Sequence, residues 1–249
     1  MNNQFTTTQG SEIRLFIMLT TALVMLFAVS IIFGLKVERK SNSVPSETAS
    51  KPFPMVTLEA KAAYVYDTRT QTVLFAKGED VRLPLASLTK IMSALVAEGA
   101  SPLYGIVTIT NEALQAEGDS GLYRDEKWSL KNLLDFSLVT SSNDGIRAGA
   151  LSLGALSKAS ATTGEIINDF VEEMNRKAGE LGLKNTYFWN ETGLDLPAPN
   201  PSGGQGGGSE VKGGAYGTAR DISVLLEYIL AYHLELFAAT REATTTLQS

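Results

Sequence analysis

The sequence lacks cysteine altogether and has a single histidine, His233, among its 249 residues. Without cysteine there is no disulfide, no thiol nucleophile and no thiolate ligand for zinc. One histidine leaves few imidazole metal sites, and it disfavours a Ser-His-Asp triad because His233 lies in an apolar run typical of a helix face. Basic clusters are also absent and the net charge is −6, which argues against nucleic acid as a partner.

One uncharged run of 21 residues lies near the N-terminus, at residues 15–35. This length matches the apolar core of a bilayer, so we expect an uncleaved transmembrane helix. A cleaved signal peptide is the alternative, although its apolar core is usually shorter and no clear small-residue cleavage site follows. Lys36, Arg39 and Lys40 follow the run, and the positive-inside tendency would place them in the cytoplasm.

The chain therefore divides into four predicted segments. Residues 1–14 form an N-terminal tail, residues 15–35 the membrane anchor, residues 36–55 a polar linker punctuated by proline, and residues 56–249 one domain. A chain of this length accommodates an anchor and one ordinary domain. No internal repeat is visible.

Within the domain, apolar periodicity predicts helices with a few strands at the front, which is typical of an α+β fold. The segments AAYVYD and TVLFA flank a polar TRTQ and predict a hairpin with an aromatic face. Helices are expected after Asn111, Ser129 and Thr218, whose side chains can cap them. A further core-facing helix contains Ile166 to Met174 and runs to about Leu181. The glycine-rich residues 197–214 predict a flexible loop.

The stretch LASLTKIMSAL places Lys90 three residues after Ser87 at the expected start of a helix. At this spacing the two side-chain tips can meet. A serine hydroxyl is a weak nucleophile until a base takes its proton, and lysine can be that base if burial lowers its pKa. A second S-x-x-K, Ser209 to Lys212, lies in the glycine-rich loop without a helix to hold it, so we regard it as a chance match.

A second polar cluster follows the helix LKNLLDFSLV at the sequence TSSND. Ser141 and Asn143 stand one residue apart there and would both face a cleft at that turn. The same residues could also serve as an ordinary helix C-terminal cap.

The order PLASLTKIMSAL then LLDFSLVTSSNDG resembles the serine D-Ala-D-Ala carboxypeptidases, the low-molecular-weight penicillin-binding proteins. AAYVYDTRTQTVLFAKGED is similar to the leading strand pair of that family, LGLKNTYFWNETGLD to its asparagine and TGL stretch, and AYGTARDI to its TARD helix start. The similarity extends over residues 57–232. It implies a β-lactamase/transpeptidase-like domain, with a helical cluster and an antiparallel sheet.

Carried over to these positions, the resemblance implies that Ser87 is the nucleophile and Lys90 the base that deprotonates it. Ser141 would relay a proton to the departing amine, and Asn143 would hold the amide of the substrate. The implied substrate is a peptidoglycan stem peptide ending in D-Ala-D-Ala, and β-lactams would acylate the same serine. The family needs no metal or other cofactor. Since the substrate lies outside the cytoplasmic membrane, the domain is expected there despite the charge bias.

The sequence departs from the family in one element, because no KTG follows the TARD helix start. In the family that strand binds the substrate carboxylate and donates one oxyanion N–H, and the loss of one such donor typically costs about a hundredfold to a thousandfold in rate. We therefore expect an incomplete carboxypeptidase domain with little activity.

Three alternatives remain open from the sequence. A serine β-lactamase of the same superfamily would need a carboxylate to activate water, and Glu191 is the candidate. A non-catalytic, membrane-anchored module that binds peptidoglycan or a wall protein is a second reading. An anchored helical domain without a site is the third.

Overall fold

The computed structural model describes residues 56–118, 120–157, 160–195 and 214–249. Within these ranges the helices are α1 (Thr89–Ala100), α2 (Leu130–Thr140), α3 (Asn143–Ser157), α4 (Thr163–Glu180) and α5 (Ala219–Tyr232). The strands are β1 (Ala63–Asp67), β2 (Thr72–Lys77), β3 (Leu83–Pro84), β4 (Ile106–Thr108), β5 (Lys127–Ser129), β6 (Tyr187–Phe188) and β7 (Ala215–Gly217). Short 3-10 turns occur at Ala86–Leu88, Ala113–Gln115, Leu234–Phe237 and Ala239–Arg241.

The predicted hairpin is confirmed as the antiparallel pair of β1 and β2, which runs from Ala63 opposite Lys77 to Asp67 opposite Thr72. Asp67 closes the turn because its carboxylate accepts the backbone N–H groups of residues 69 and 70. Tyr64 and Tyr66 stack with ring centroids 6.0 Å apart. Residues two apart on a strand share a face, so the aromatic face of the hairpin is confirmed as well.

A second sheet holds the elements that lead to the site. It is antiparallel with the order β3-β7-β6, and Tyr216 of β7 lies opposite both Pro84 and Tyr187. The chain leaves β3 towards Ser87 and leaves β6 towards residues 190–194. Backbone pairing through β7 therefore fixes the spacing of these two segments. A third sheet pairs β4 with β5.

The helices pack around one apolar core. Its fully buried side chains include Met92 of α1, Leu133 and Leu134 of α2, Met174 of α4 and Leu225 of α5. Each buried side chain of this size stabilises the fold by roughly 2 kcal/mol relative to exposure. The members of the core are thus spread along the chain, and their packing orients α1 relative to the other helices.

The helix N-terminal caps predicted at Ser129 and Thr218 are confirmed. Ser129 Oγ accepts the backbone N–H of Asn132, and Thr218 Oγ1 accepts the backbone N–H of Asp221. The carboxylate of Asp221 binds Asn185 N and Thr186 Oγ1, which ties α5 to the segment before β6. The prediction of a helix beginning at Asn111 is wrong.

In place of that helix the chain forms a single 3-10 turn at Ala113–Gln115, and Ala116 is extended with ψ 147°. Gly118 follows at φ +97°. So short a segment forms one hydrogen-bonded turn at most unless tertiary packing extends it, since helix nucleation is costly. The sequence pattern predicted helical structure here but did not predict that it ends after a single turn.

The transmembrane helix predicted at residues 15–35 lies outside the described residues, and so does most of the glycine-rich loop at 197–214. Among the helices that are described, none has the length and apolar character to cross a membrane.

Candidate active site

Ser87 lies on the 3-10 turn Ala86–Leu88, between β3 and α1. The sequence pattern predicted the start of a helix here, whereas Ser87 precedes the helix, and the neighbouring Leu88 is 46% exposed. The difference arises at Ala86, whose φ of +45° interrupts helical geometry. A left-handed non-glycine residue costs about 1–3 kcal/mol and is commonly found at functional sites. The result is an exposed serine held just ahead of a helix N-terminus.

Lys90 occupies the first turn of α1 and is 2% exposed. Its Nζ lies 2.9 Å from Ser87 Oγ and donates to the backbone oxygen of Thr192 at 3.2 Å. Burial lowers the pKa of Lys90 from 10.5 to about 8, because the charged amine loses hydration, while the carboxylate of Glu191 opposes this shift. About one-tenth of the amines are then neutral at pH 7, compared with well under a thousandth for an ordinary lysine.

Ser141 is the C-terminal cap of α2 and adopts a left-handed conformation with φ 60° and ψ 33°. That backbone turn directs its side chain at Ser87, and the two hydroxyl oxygens lie 2.8 Å apart. Ser87 Oγ is therefore in contact with both Lys90 Nζ and Ser141 Oγ. These three predicted site residues are brought together by the fold.

Asn143 begins α3 and has a different set of contacts. Its Nδ2 donates to the backbone oxygen of Glu117 at 2.6 Å. Its Oδ1 is buried and has no hydrogen-bond partner within the described ranges. The amide thus faces the loop before β5, and the structure does not bring it into the group formed by Ser87, Lys90 and Ser141.

The NETGL loop (residues 190–194) forms the wall behind Lys90. Asn190 Oδ1 accepts the backbone N–H groups of Thr192 at 3.1 Å and Gly193 at 2.6 Å, and Asn190 Nδ2 donates to Leu194 O at 2.7 Å. This side-chain bracing holds the oxygen of Thr192 towards the lysine. The role of Thr192 was not visible in the sequence, because a backbone oxygen carries no residue signature.

Gly193 allows the NETGL loop to approach the turn that carries Ser87. Its φ is +82°, and a Cβ at this position would lie 1.9 Å from Ala86 O and 2.6 Å from Thr89 Oγ1. No side chain fits there. The glycine of the TGL stretch is thus required by a contact between two segments that are 107 positions apart in the chain (193 − 86).

Glu191 follows Asn190 in the same loop and is 1% exposed. Its carboxylate lies 3.4 Å from Arg147 Nη1 on α3, and its backbone oxygen accepts a hydrogen bond from Ser93 Oγ at 2.6 Å. A carboxylate buried against an arginine is not presented to water. Arg147 is a further residue of the site that sequence reasoning missed.

His233 caps α5, and its Nδ1 lies 2.7 Å from Glu98 Oε2. This pair lies at the end of α1 opposite to Lys90. Over the described part of the chain, no group of three or more His, Cys, Asp or Glu side chains could hold a metal ion.

Comparison with known proteins gives three consistent results. The sequence profile of the D-alanyl-D-alanine carboxypeptidase family matches residues 46–249. The chain is 31% identical to the D-alanyl-D-alanine carboxypeptidase DacF of Bacillus subtilis, over 74% of this chain and 42% of that protein. It is 32% identical to a D-alanyl-D-alanine endopeptidase of Pseudomonas aeruginosa, over 69% of this chain and 53% of that protein. The chain thus spans about half the length of the curated relatives it matches.

Solved structures agree with these sequence relatives. A D-alanyl-D-alanine carboxypeptidase of Mycobacterium tuberculosis superposes with a TM-score of 0.60 at 27% identity, covering 81% of this chain and 66% of that one. The DD-transpeptidase of Streptomyces K15 superposes with a TM-score of 0.58 at 25% identity, covering 72% of this chain and 64% of that one. The described domain therefore has an α+β transpeptidase-like fold.

Proposed function

Because the chain belongs to the D-alanyl-D-alanine carboxypeptidase family, we propose that it is a membrane-anchored serine carboxypeptidase that acts on peptidoglycan stem peptides ending in D-Ala-D-Ala. The observation that carries the proposal is the contact of Ser87 Oγ with Lys90 Nζ at 2.9 Å and with Ser141 Oγ at 2.8 Å. A nucleophile within hydrogen-bond reach of a base is the geometry that acyl transfer requires.

In the acylation step, the neutral amine of Lys90 takes the proton of Ser87, and Ser87 Oγ bonds to the carbonyl carbon between the two D-alanines. The C–N bond of that peptide then breaks, and the proton passes from Lys90 through Ser141 Oγ to the departing amine of D-Ala. The 2.8 Å contact with Ser87 Oγ places the Ser141 hydroxyl beside the reacting carbon, as this relay requires. Water then attacks the ester, which releases the shortened peptide and restores Ser87.

The backbone oxygen of Thr192 has a specific part in this scheme. An amine that accepts the Ser87 proton must direct its lone pair at the hydroxyl, and its own N–H groups need acceptors elsewhere. Thr192 O, 3.2 Å from Nζ, provides one such acceptor. It therefore orients the lone pair towards Ser87 in the neutral state.

Asn143 is proposed to hold the amide of the substrate. Its buried Oδ1 has no partner within the described ranges, and a substrate N–H would supply one. Since Oδ1 is buried, this contact requires the surroundings of the Asn143 amide to shift when substrate binds. Asn143→Ala, which removes this acceptor, should then weaken acylation without removing the reactivity of Ser87.

Covalent labelling with a fluorescent penicillin tests the proposal. We expect a stable adduct whose mass is found on the peptide containing Ser87, no adduct in Ser87→Ala, and release of D-Ala from a pentapeptide ending in D-Ala-D-Ala. A folded wild-type chain that stays unlabelled, or a Ser87→Ala variant that labels equally, would contradict the enzyme.

A non-catalytic wall-binding module is the second candidate, because the Asn143 amide is engaged by the backbone oxygen of Glu117. Such a module would bind purified peptidoglycan equally well in wild type and Ser87→Ala while neither is labelled. The β-lactamase alternative is disfavoured because the carboxylate of Glu191 is buried beside Arg147. Rapid turnover of nitrocefin without release of D-Ala would favour it again.

The location of the proposed enzyme follows from its substrate. Peptidoglycan lies outside the cytoplasmic membrane, so the domain is proposed to be extracytoplasmic, with residues 15–35 as a single anchor. Protease added to intact spheroplasts should remove the domain and leave an anchored fragment, whereas deletion of residues 1–35 should release the protein into the soluble fraction. Protection of the domain in intact spheroplasts would contradict this topology.

A further inference from the structure

A buried ion pair lies next to the segment whose backbone oxygen binds Lys90. It joins Arg147 of α3 to Glu191 of the NETGL loop, with 3.4 Å between Nη1 and Oε1. The carboxylate side chain is 2% exposed and the arginine side chain 28%. An ionised carboxylate at such depth is stable only with a compensating positive charge.

Two cations compete for that carboxylate. Glu191 is adjacent in the chain to Thr192, whose oxygen binds Lys90 Nζ, and the charge of Glu191 raises the pKa of Lys90 against the effect of burial. A carboxylate without its own partner would hold Lys90 as an ammonium. An ammonium cannot take the proton of Ser87.

The pair of Arg147 and Glu191 is an ionic contact and not a hydrogen-bonded fork. Arg147 Nε and Glu191 Oε1 are both buried without a hydrogen-bond partner in the ranges that the structure describes. What Arg147 supplies to Glu191 is therefore mainly positive charge. A shape-preserving neutral side chain would not replace it.

Three other charged groups on or beside α1 have partners of their own. Asp144 of α3 accepts from Ser120 Oγ at 3.2 Å, Lys131 of α2 binds Asp135 at 2.5 Å, and His233 meets Glu98 at the opposite end of α1. The charge from these elements that acts on Lys90 is that of Glu191.

We propose that Arg147 is a positioning residue that retains the Glu191 carboxylate as its own counter-ion and so leaves Lys90 free to act as an uncharged base. The inference rests on the proposed function of Lys90 and deepens it. It assigns a role to an arginine that has no contact with Ser87 or Ser141 in the described structure. The reactivity of Ser87 would then depend on the charge of Arg147, a residue that does not contact it.

The pKa of Lys90 can be measured directly, without any catalysis, by pH titration of [13Cε]lysine-labelled protein, with the resonance assigned through its absence in Lys90→Arg. In Arg147→Gln we expect this pKa to rise by about one unit or more, because the buried carboxylate then pairs with the amine. In Glu191→Gln it should fall. The double variant Arg147→Gln/Glu191→Gln should show no such rise in the pKa of Lys90.

Arg147→Lys serves as the conservative variant, since it keeps the charge and should keep the pKa within a few tenths of the wild-type value. Arg176→Gln is the matched control, because it removes an arginine from a carboxylate pair on the exposed face of α4. That pair does not act on Lys90, so no shift is expected. The pH profile of penicillin acylation should move to higher pH in Arg147→Gln by the same amount as the NMR titration.

The results separate the two proposals. An unchanged Lys90 pKa in Arg147→Gln, or in Glu191→Gln if the arginine variant fails to fold, overturns the role of Arg147 even when penicillin still labels Ser87. A shifted pKa in a chain that penicillin does not label supports the role of Arg147 and contradicts the proposed enzyme.

Discussion

The two sides of the site differ in burial and in what holds them. Lys90 and the NETGL loop are buried, and the Lys90 amine and the Ser93 hydroxyl of α1 each bind a backbone oxygen of that loop, about a hundred residues away in the chain. Ser87 and Ser141 are exposed, and their hydroxyl oxygens lie 2.8 Å apart. A base with a lowered pKa needs to be removed from water, whereas a nucleophile must be reachable by substrate. The fold meets both requirements over a distance of 2.9 Å.

The largest effect is expected on the buried side, from Gly193→Ala. The new Cβ would overlap Ala86 O, 1.9 Å from its position, and would require a side chain at φ +82°. We expect a loss of about 2–4 kcal/mol in the free energy of unfolding and a fall of about a hundredfold or more in penicillin acylation. Urea unfolding measures the change in the free energy of unfolding, and the kinetics of penicillin labelling measure the change in acylation.

Gly182→Ala is the matched control for that substitution. Gly182 also has a positive φ, +73°, but nothing lies within 4 Å of the position of a Cβ. It should lose about 1 kcal/mol from backbone strain alone. Equal losses in the two variants would mean that the contact between the NETGL loop and Ala86 does not matter.

An intermediate effect is expected on the exposed side, from Ser141→Ala. Removal of the relay hydroxyl should reduce acylation roughly tenfold to a hundredfold. The melting temperature should stay within about 1 °C, because an exposed serine contributes little to stability. The comparison of the two sides fails if Ser141→Ala destabilises the protein as much as Gly193→Ala does.

The smallest expected effect is a dependence on pH that belongs to the buried side. The pKa of Lys90 is lowered to about 8, and the neutral amine is the active form. The second-order rate constant for acylation should therefore rise about fivefold between pH 7 and 8 and level off above about pH 9. A profile that is flat between pH 6 and 8 would argue against Lys90 as the base.

Much of the fold could be predicted from local signals. The hairpin, the cap at Ser129 and the helix start at Thr218 depend on residues that are close in sequence, and all three are confirmed. The proximity of Ser87 and Lys90 also follows from their spacing. The helix expected after Asn111 is wrong because its length depends on tertiary packing that propensity does not report.

The surroundings of Lys90 could not be predicted, since they come from distant segments. Thr192 contributes a backbone oxygen, which any residue possesses. Arg147 lies on a helix where an arginine ordinarily faces solvent, and its partner Glu191 is 44 positions away (191 − 147). The direction of the Asn143 amide depends on the loop that holds Glu117. The pattern of side chains along the sequence does not indicate such long-range contacts.

The central position of β7 has one more implication. The strand that precedes Ser87 and the strand that precedes Thr192 each pair with β7, so two ladder spacings of about 4.8 Å separate them. Main-chain geometry, which is the same for nearly every amino acid, thereby sets the distance between the turn that carries Ser87 and the loop whose Thr192 oxygen binds Lys90. The side chains of Tyr187 and Tyr216 can accordingly vary while the turn and the loop keep their alignment.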